Sequence, residues 1–235
     1  MELPGDSAQL TAELLARLRA FLFGGDESTA RLVRAVRTIQ RGEFRTAPGA
    51  KWMPFTAEEF IDANRSAFRW EARFGGGRLG SVAVTDAYEE GHGRLVIKLG
   101  GVVPVKKVQG PEVDRGELQR YLAGISSCPP IVLNHRSLAW TASGPVTLRL
   151  SDQEDPGGAT VDLELAKDGR PLVCRGDRPR LVGKRSILTP WSGTGADFKE
   201  WEGFRAARQL EAAWLLPEGP FTYFRAEVTS LTVSR

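Results

Sequence analysis

The chain has 235 residues, 41% hydrophobic and 26% charged, which excludes a disordered polymer and leaves room for one domain with a sizeable core. Its 32 basic and 29 acidic residues give a net charge of +3, too small an excess to point to a nucleic-acid partner. Two cysteines, Cys128 and Cys174, are too few for a disulfide framework and read as free thiols in a reducing compartment.

The N-terminal MELPGDSAQL shows no basic stretch followed by an apolar run. No segment approaches the roughly 18 apolar residues of a membrane span, so a cytoplasmic location and no membrane span are expected. The first element is a helix, with Leu10, Leu14, Leu18, Phe21 and Leu22 on one stripe, Ser7 or Thr11 as its cap and Gly24-Gly25 as its stop. Residues 1–31 therefore form a helix and linker packed on the body, and residues 32–235 form the body itself.

Period two dominates that body. Phe68, Trp70, Ala72 and Phe74 alternate with charged residues, and Val82 and Val84 share a face with Asp86 and Tyr88. Further runs follow at Leu95–Leu99, Leu138–Ala142, Val146–Ser151 and Val161–Leu165. Turns rich in Gly or Pro separate them at Gly75-Gly76-Gly77, Gly91-His92-Gly93, Pro156-Gly157-Gly158 and Asp168-Gly169. The pattern is mainly β within an α+β class: an antiparallel meander with enough strands to curl into a barrel or half-barrel. One helix interrupts it. Pro111 precedes the helix, Asp114 and Glu117 resemble a capping box, Leu118, Tyr121, Leu122 and Ile125 form its stripe, and Pro129-Pro130 ends it. Such a helix is placed to cover the concave face. In the last strand, Phe221, Tyr223, Arg225 and Glu227 share one face and Phe224, Ala226 and Val228 the other. The apolar phase then shifts to Leu231 and Val233, which predicts a bulge near Thr229 or Ser230.

Five segments carry a family resemblance: QRGEFR (Gln40–Arg45), PFTAEE (Pro54–Glu59), DAYEEGHG (Asp86–Gly93), GELQRYLA (Gly116–Ala123) and AWLLPEGPFTYFRAEVTSLTV (Ala213–Val233). Together, over residues 32–234, they resemble a bacterial family known as domain of unknown function 6544. The resemblance implies a fold similar to the lipoprotein-carrier (LolA-like) superfamily. That fold is a curved antiparallel half-barrel with helices plugging its concave side, around a cavity that takes acyl chains or other lipophilic molecules. It also implies an acidic residue and an aromatic-Pro-Thr-Ala stretch after RYLA. Here the chain reads GISSCPPIVLNH (Gly124–His135), with Ser127 and Cys128 in place of bulky aromatics, so a cavity lined by this stretch is wider than the family norm or differently shaped.

Candidate catalytic groups are Asp86, His135, Tyr121 and Tyr223. Asp86 shares an apolar phase, where burial raises a carboxyl pKa and suits it to acid or base work; the structural alternatives are that it ends the buried part of the strand or pairs with an Arg. Cys128 and His135 could pair as thiol and base across the Pro-Pro segment, or stand as a buried inert thiol and a surface histidine. Trp70, Tyr88, Arg120, Cys128, Trp140, Trp191 and Arg225 are the candidate ligand contacts. The basic run Arg175–Arg185 reads as a solvated loop or edge strand, or as an anion site for a carboxylate or phosphate. Two histidines without ligand spacing predict no metal, and GGGRLG (Gly75–Gly80) lies between strands rather than before a helix, so no cofactor is expected. The expected function is binding of a lipophilic small molecule. The alternatives are a cofactor-independent cyclase or isomerase in the same cavity, and a non-catalytic module docking through an edge strand or the first helix.

Overall fold

The computed structural model describes residues 4–75, 81–155, 158–183 and 185–235. Helix α1 (Pro4–Phe23) starts with proline, whose missing N–H costs nothing in a first turn. Ser7 and Thr11 therefore lie inside the helix and are not its cap. The Thr11 hydroxyl donates to Ser7 O at 2.7 Å and accepts the Ala142 N–H at 2.8 Å, which ties the helix to the sheet. Leu14, Leu18 and Leu22 are fully buried, each contributing at most about 1.5–3 kcal/mol. Gly24, at φ 61°, ends the helix, and a single turn, α2 (Ser28–Arg31), follows.

The strands are β1 (Ala35–Phe44), β2 (Met53–Asp62), β3 (Phe68–Phe74), β4 (Val82–Glu89), β5 (His92–Leu99) and β6 (Val103–Gln109). After a helical insertion come β7 (Leu138–Gly144), β8 (Thr147–Asp152), β9 (Thr160–Leu165), β10 (Pro171–Val182), β11 (Arg185–Trp201), β12 (Phe204–Leu216) and β13 (Gly219–Ser234). They form one antiparallel sheet of 13 strands in the order β6-β5-β4-β3-β2-β1-β13-β12-β11-β10-β9-β8-β7. The first and last strands pair at its centre, and the sheet stays open between β6 and β7. A sheet of this size keeps its twist only by curling, which produces the half-barrel. The expected fold class is therefore the observed one. The basic run Arg175–Arg185 is mostly strand: β10 carries it to Val182, paired with β11. The expected turns at Gly76-Gly77 and Pro156-Gly157, with the remainder of GGGRLG, lie outside the described residues.

Alternation sets the two faces. In β2, Phe55, Ala57, Glu59 and Ile61 are buried between exposed neighbours. Two bulges shape β13. Thr229 is the extra residue between Val228 and Ser230, opposite Ile39 and Gln40, where the sequence predicts a bulge. A second bulge at Tyr223, between Ala212 and Ala213 on the partner strand, has no marker in the sequence. It reverses the phase, so that Phe221 and Tyr223 face the same side as Phe224, while Arg225 faces out.

The insertion between β6 and β7 holds α3 (Pro111–Ala123), a 3-10 turn at Gly124–Ser126, and α4 (Ile131–Asn134). It crosses the concave face, and α3 packs against β4, β5 and β6 on one arm and β9 and β10 on the other. The capping box does not form. The cap position is Gly110, and Asp114, a full turn inside, accepts the Gly93 N–H at 2.7 Å instead. A Cβ on Gly93 would lie 2.6 Å from Val113 O, a backbone atom that cannot step aside. Gly93→Ala should therefore lift the start of α3 from β5 and lower stability by about 1–3 kcal/mol in urea unfolding. Unchanged stability would show that this contact does not hold α3.

Candidate functional site

Between α3 and the concave sheet lies a cavity of about 530 Å³. Its walls carry Phe44, Trp70, Phe74, Trp191, Phe221 and Phe224, with Val84, Leu95, Ile97 and Leu210 between them. The 3-10 turn and the residue that follows it supply Gly124, Ser126 and Ser127. On β11, Trp191, Gly193 and Gly195 fall in one phase, and the glycines let the Trp191 ring and Ser126 pack close against the strand. A Cβ on Gly193 would meet the Trp191 ring at 2.7 Å, and one on Gly195 would meet the Ser126 side chain at 2.8 Å.

One part of this apolar wall is charged. Arg120 on α3 bridges Glu59 on β2, at 3.1 Å, and Asp86 on β4. Its guanidinium lies over the Phe68 and Trp70 rings, 4.7 and 5.2 Å from their centroids. Gln40 on β1 donates to Glu59 at 2.7 Å and to the Thr38 hydroxyl at 3.0 Å, and accepts the Trp70 indole N–H at 3.0 Å. Glu117, one turn before Arg120, also faces the cavity. Burial, then the neighbouring Asp86 carboxylate, push its pKa up to about 8, so it is neutral at pH 7. Its Oε2 and Oδ1 of Asp86 are shielded from solvent and make no hydrogen bond within the protein. Arg178 on β10 lies 3.8 Å from Glu117 and donates to Gly116 O at 2.7 Å.

The sequence candidates divide by place. Asp86, Tyr121 and Tyr223 line the cavity, as do Trp70, Arg120 and Trp191. Asp86 is ion-paired with Arg120, the structural reading that the sequence left open. Tyr121 donates its hydroxyl to Asp62 O at 2.9 Å, and Tyr223 accepts the Trp191 indole N–H at 2.9 Å. His135, Tyr88, Cys128, Trp140 and Arg225 do not line this cavity. Cys128 is fully buried, which pushes its thiol pKa up and suppresses the thiolate that nucleophilic attack needs. His135 is buried, which lowers its pKa, and its two ring nitrogens face Ser66 Oγ at 3.1 Å and Ser137 Oγ at 3.3 Å. Both serines donate to Asp152, at 2.5 and 2.6 Å. The carboxylate is not an orienting partner at the nitrogen remote from Ser66, so this cluster links loops and strands and does not form a nucleophile-base-acid relay. Burial pushes the Tyr88 pKa up to about 12. Trp140 packs against the core edge, and Arg225 pairs on the outer face with Glu211 at 3.2 Å.

Gln40, Glu59, Glu117 and Arg178 complete the charged end. Glu59 and Gln40 carry the signal that exposes Asp86, a polar residue in an apolar phase. Glu117 reads as a cap in the sequence because the helix start is misplaced by a turn.

Glu117 has a pH signature. As pH rises from about 5 to 8, an unfolded chain releases this proton while the folded protein keeps it, so stability falls across that window. Glu117→Gln should remove the fall, raising the melting temperature more at pH 8 than at pH 5. An equal change at both pH values would contradict a neutral Glu117.

No curated protein matches the sequence. A DUF1329 family protein from Desulfovibrio piger superposes with a TM-score of 0.54 at 8% identity, over 96% of this chain and 92% of that one. A LolA superfamily protein from Nitrosomonas europaea gives 0.45 at 11% identity, over 96% and 94%. The first likeness is one of fold. A model of the family of unknown function DUF6544 matches residues 21–226. The chain belongs to that family.

Proposed function

We propose that the protein binds a lipophilic small molecule inside the half-barrel. The observation that carries this reading is the cavity itself: about 530 Å³, walled by aromatic and aliphatic side chains, with a few polar groups in the lining. Ligand sites have this size and character, an apolar body with a few placed polar groups. A core built only for stability would close such a space, because each lost contact costs free energy. Here the small side chains of Ser126 and Ser127 stand in the wall and leave it open. Access fits the same reading. Leu181, at the tip of β10, lines the cavity and is still 52% exposed, which offers an apolar approach. Among the described residues no helix is long and apolar enough to cross a membrane.

Nile red, a neutral lipophilic dye, tests the reading. It should bind saturably with one molecule per chain, with blue-shifted emission. Ser127 lines the cavity and is 7% exposed, so Ser127→Phe fills the space. That variant should keep its far-ultraviolet circular dichroism and bind the dye about tenfold more weakly or worse, a loss near 1.4 kcal/mol. Unsaturable binding, or unchanged affinity in a folded Ser127→Phe, would overturn the proposal.

A further inference from the structure

Arg178 is a buried cation with an unpaired N–H in the cavity wall. The residue is 8% exposed, and its Nε is shielded from solvent with no acceptor in the protein. Nη2 is satisfied by Gly116 O, and the guanidinium lies over the Trp191 ring, 4.9 Å from the centroid, in the cavity wall. Its nearest carboxyl group belongs to Glu117, which is neutral at pH 7. A buried charge without a counter-charge is costly, and proteins normally supply one.

The rest of the lining does not supply it. Four arginines border the cavity, Arg45, Arg120, Arg178 and Arg180, with the carboxylates of Glu59, Asp86 and Glu211 as well as neutral Glu117. Arg120 engages both Glu59 and Asp86. Glu211 pairs with Arg225 on the outer face. Arg45 donates to Thr222 O at 2.7 Å and lies over the Trp52 and Phe221 rings, and Arg180 lies over the Trp214 ring. Among the described residues neither has a carboxylate within ion-pair distance. An apolar cavity thus carries four guanidinium groups, one of them deeply buried with an unpaired N–H.

We infer that the ligand is a lipophilic acid whose carboxylate binds at Arg178, with its apolar body lying along Trp191, Trp70 and Phe224. This rests on the cavity being a lipophile site and specifies the chemistry of the ligand's polar end. A singly charged head group matches one buried guanidinium, and a charge-assisted hydrogen bond is strong where water is excluded. Neutral Glu117 neither repels the head group nor competes for Arg178. Glu117 is faced by Asp86 from β4, Arg178 from β10 and Arg120 from its own helix, with Glu59 of β2 and Tyr223 of β13 acting on Arg120. As pH rises through about 8, Glu117 ionises, takes over Arg178 and repels the ligand, so affinity for an acid falls.

Calorimetric titration with dodecanoate, dodecanol and dodecylamine separates the outcomes. Dodecanoate should bind about tenfold or more tightly than dodecanol at pH 7, and dodecylamine most weakly. Arg178→Met should abolish the preference for dodecanoate over dodecanol, with a far-ultraviolet circular dichroism spectrum like that of the unaltered protein. Raising the pH from 7 to 9 should weaken dodecanoate binding alone, and Glu117→Gln should remove that dependence. Dodecanol or dodecylamine binding as tightly as dodecanoate to the unaltered protein would overturn the acid assignment and leave the cavity reading standing. Binding of none of the three would overturn both.

Discussion

The contact on which the architecture depends is Arg120, held between Glu59 on β2 and Asp86 on β4. The two arms of the sheet join at its centre, where β1 pairs with β13, and its two edges, β6 and β7, remain apart. The helical insertion that joins those edges must cross the concave face, and something has to hold it there. Arg120 fastens α3 to one arm. Gln119, its neighbour, donates to Thr160 O at 3.2 Å and Asp177 O at 3.0 Å on the other. Removing Arg120 would leave two buried carboxylates uncompensated, a change that typically costs about 3–5 kcal/mol. The same ion pairs therefore fix the helix, define the cavity beneath it and place a charged end against an apolar wall.

The electrostatics of that end follow from crowding. Arg120 is shared by two carboxylates, and Asp86 stands next to Glu117. Two adjacent carboxylates in a desolvated site do not both ionise readily, and Glu117, with less help from Arg120, retains its proton. Its neutrality leaves Arg178 without a counter-ion. The charge imbalance that points to an acidic ligand is thus a consequence of how α3 is anchored, and the structural and recognition roles share the same few residues.

Much of this was legible in the sequence. Alternation located Asp86 beside Val82 and Val84 and identified a curled antiparallel sheet. The shift of apolar phase near Leu231 located the bulge at Thr229. The departure at Gly124–His135 pointed to the segment from which Ser126 and Ser127 reach the cavity. What stayed hidden has physical reasons. Strand phase tells which face a residue is on, but not how far along the strand it sits from the cavity. Tyr88 and Trp140 share the inward phase and still lie outside the lining. The bulge at Tyr223 leaves no trace because both alternation phases carry aromatics there, Phe221 and Tyr223 in one and Phe224 in the other, so the phase reversal that turns Arg225 outward is invisible. A Pro at the first position of α3 outweighs the Asp114-Glu117 spacing, and a turn of helix decides whether Glu117 is a cap or a buried acid. Arg178 was hidden among solvated arginines because only the curl of β10 over α3 separates it from them.

A crystal structure of the protein grown with dodecanoate tests the central claim most directly. The account predicts the chain inside the half-barrel, in contact with Trp191 and Trp70, and the carboxylate within hydrogen-bond distance of Arg178, with Arg120 still bridging Glu59 and Asp86. A chain bound outside the cavity, or a carboxylate turned away from Arg178, would contradict it.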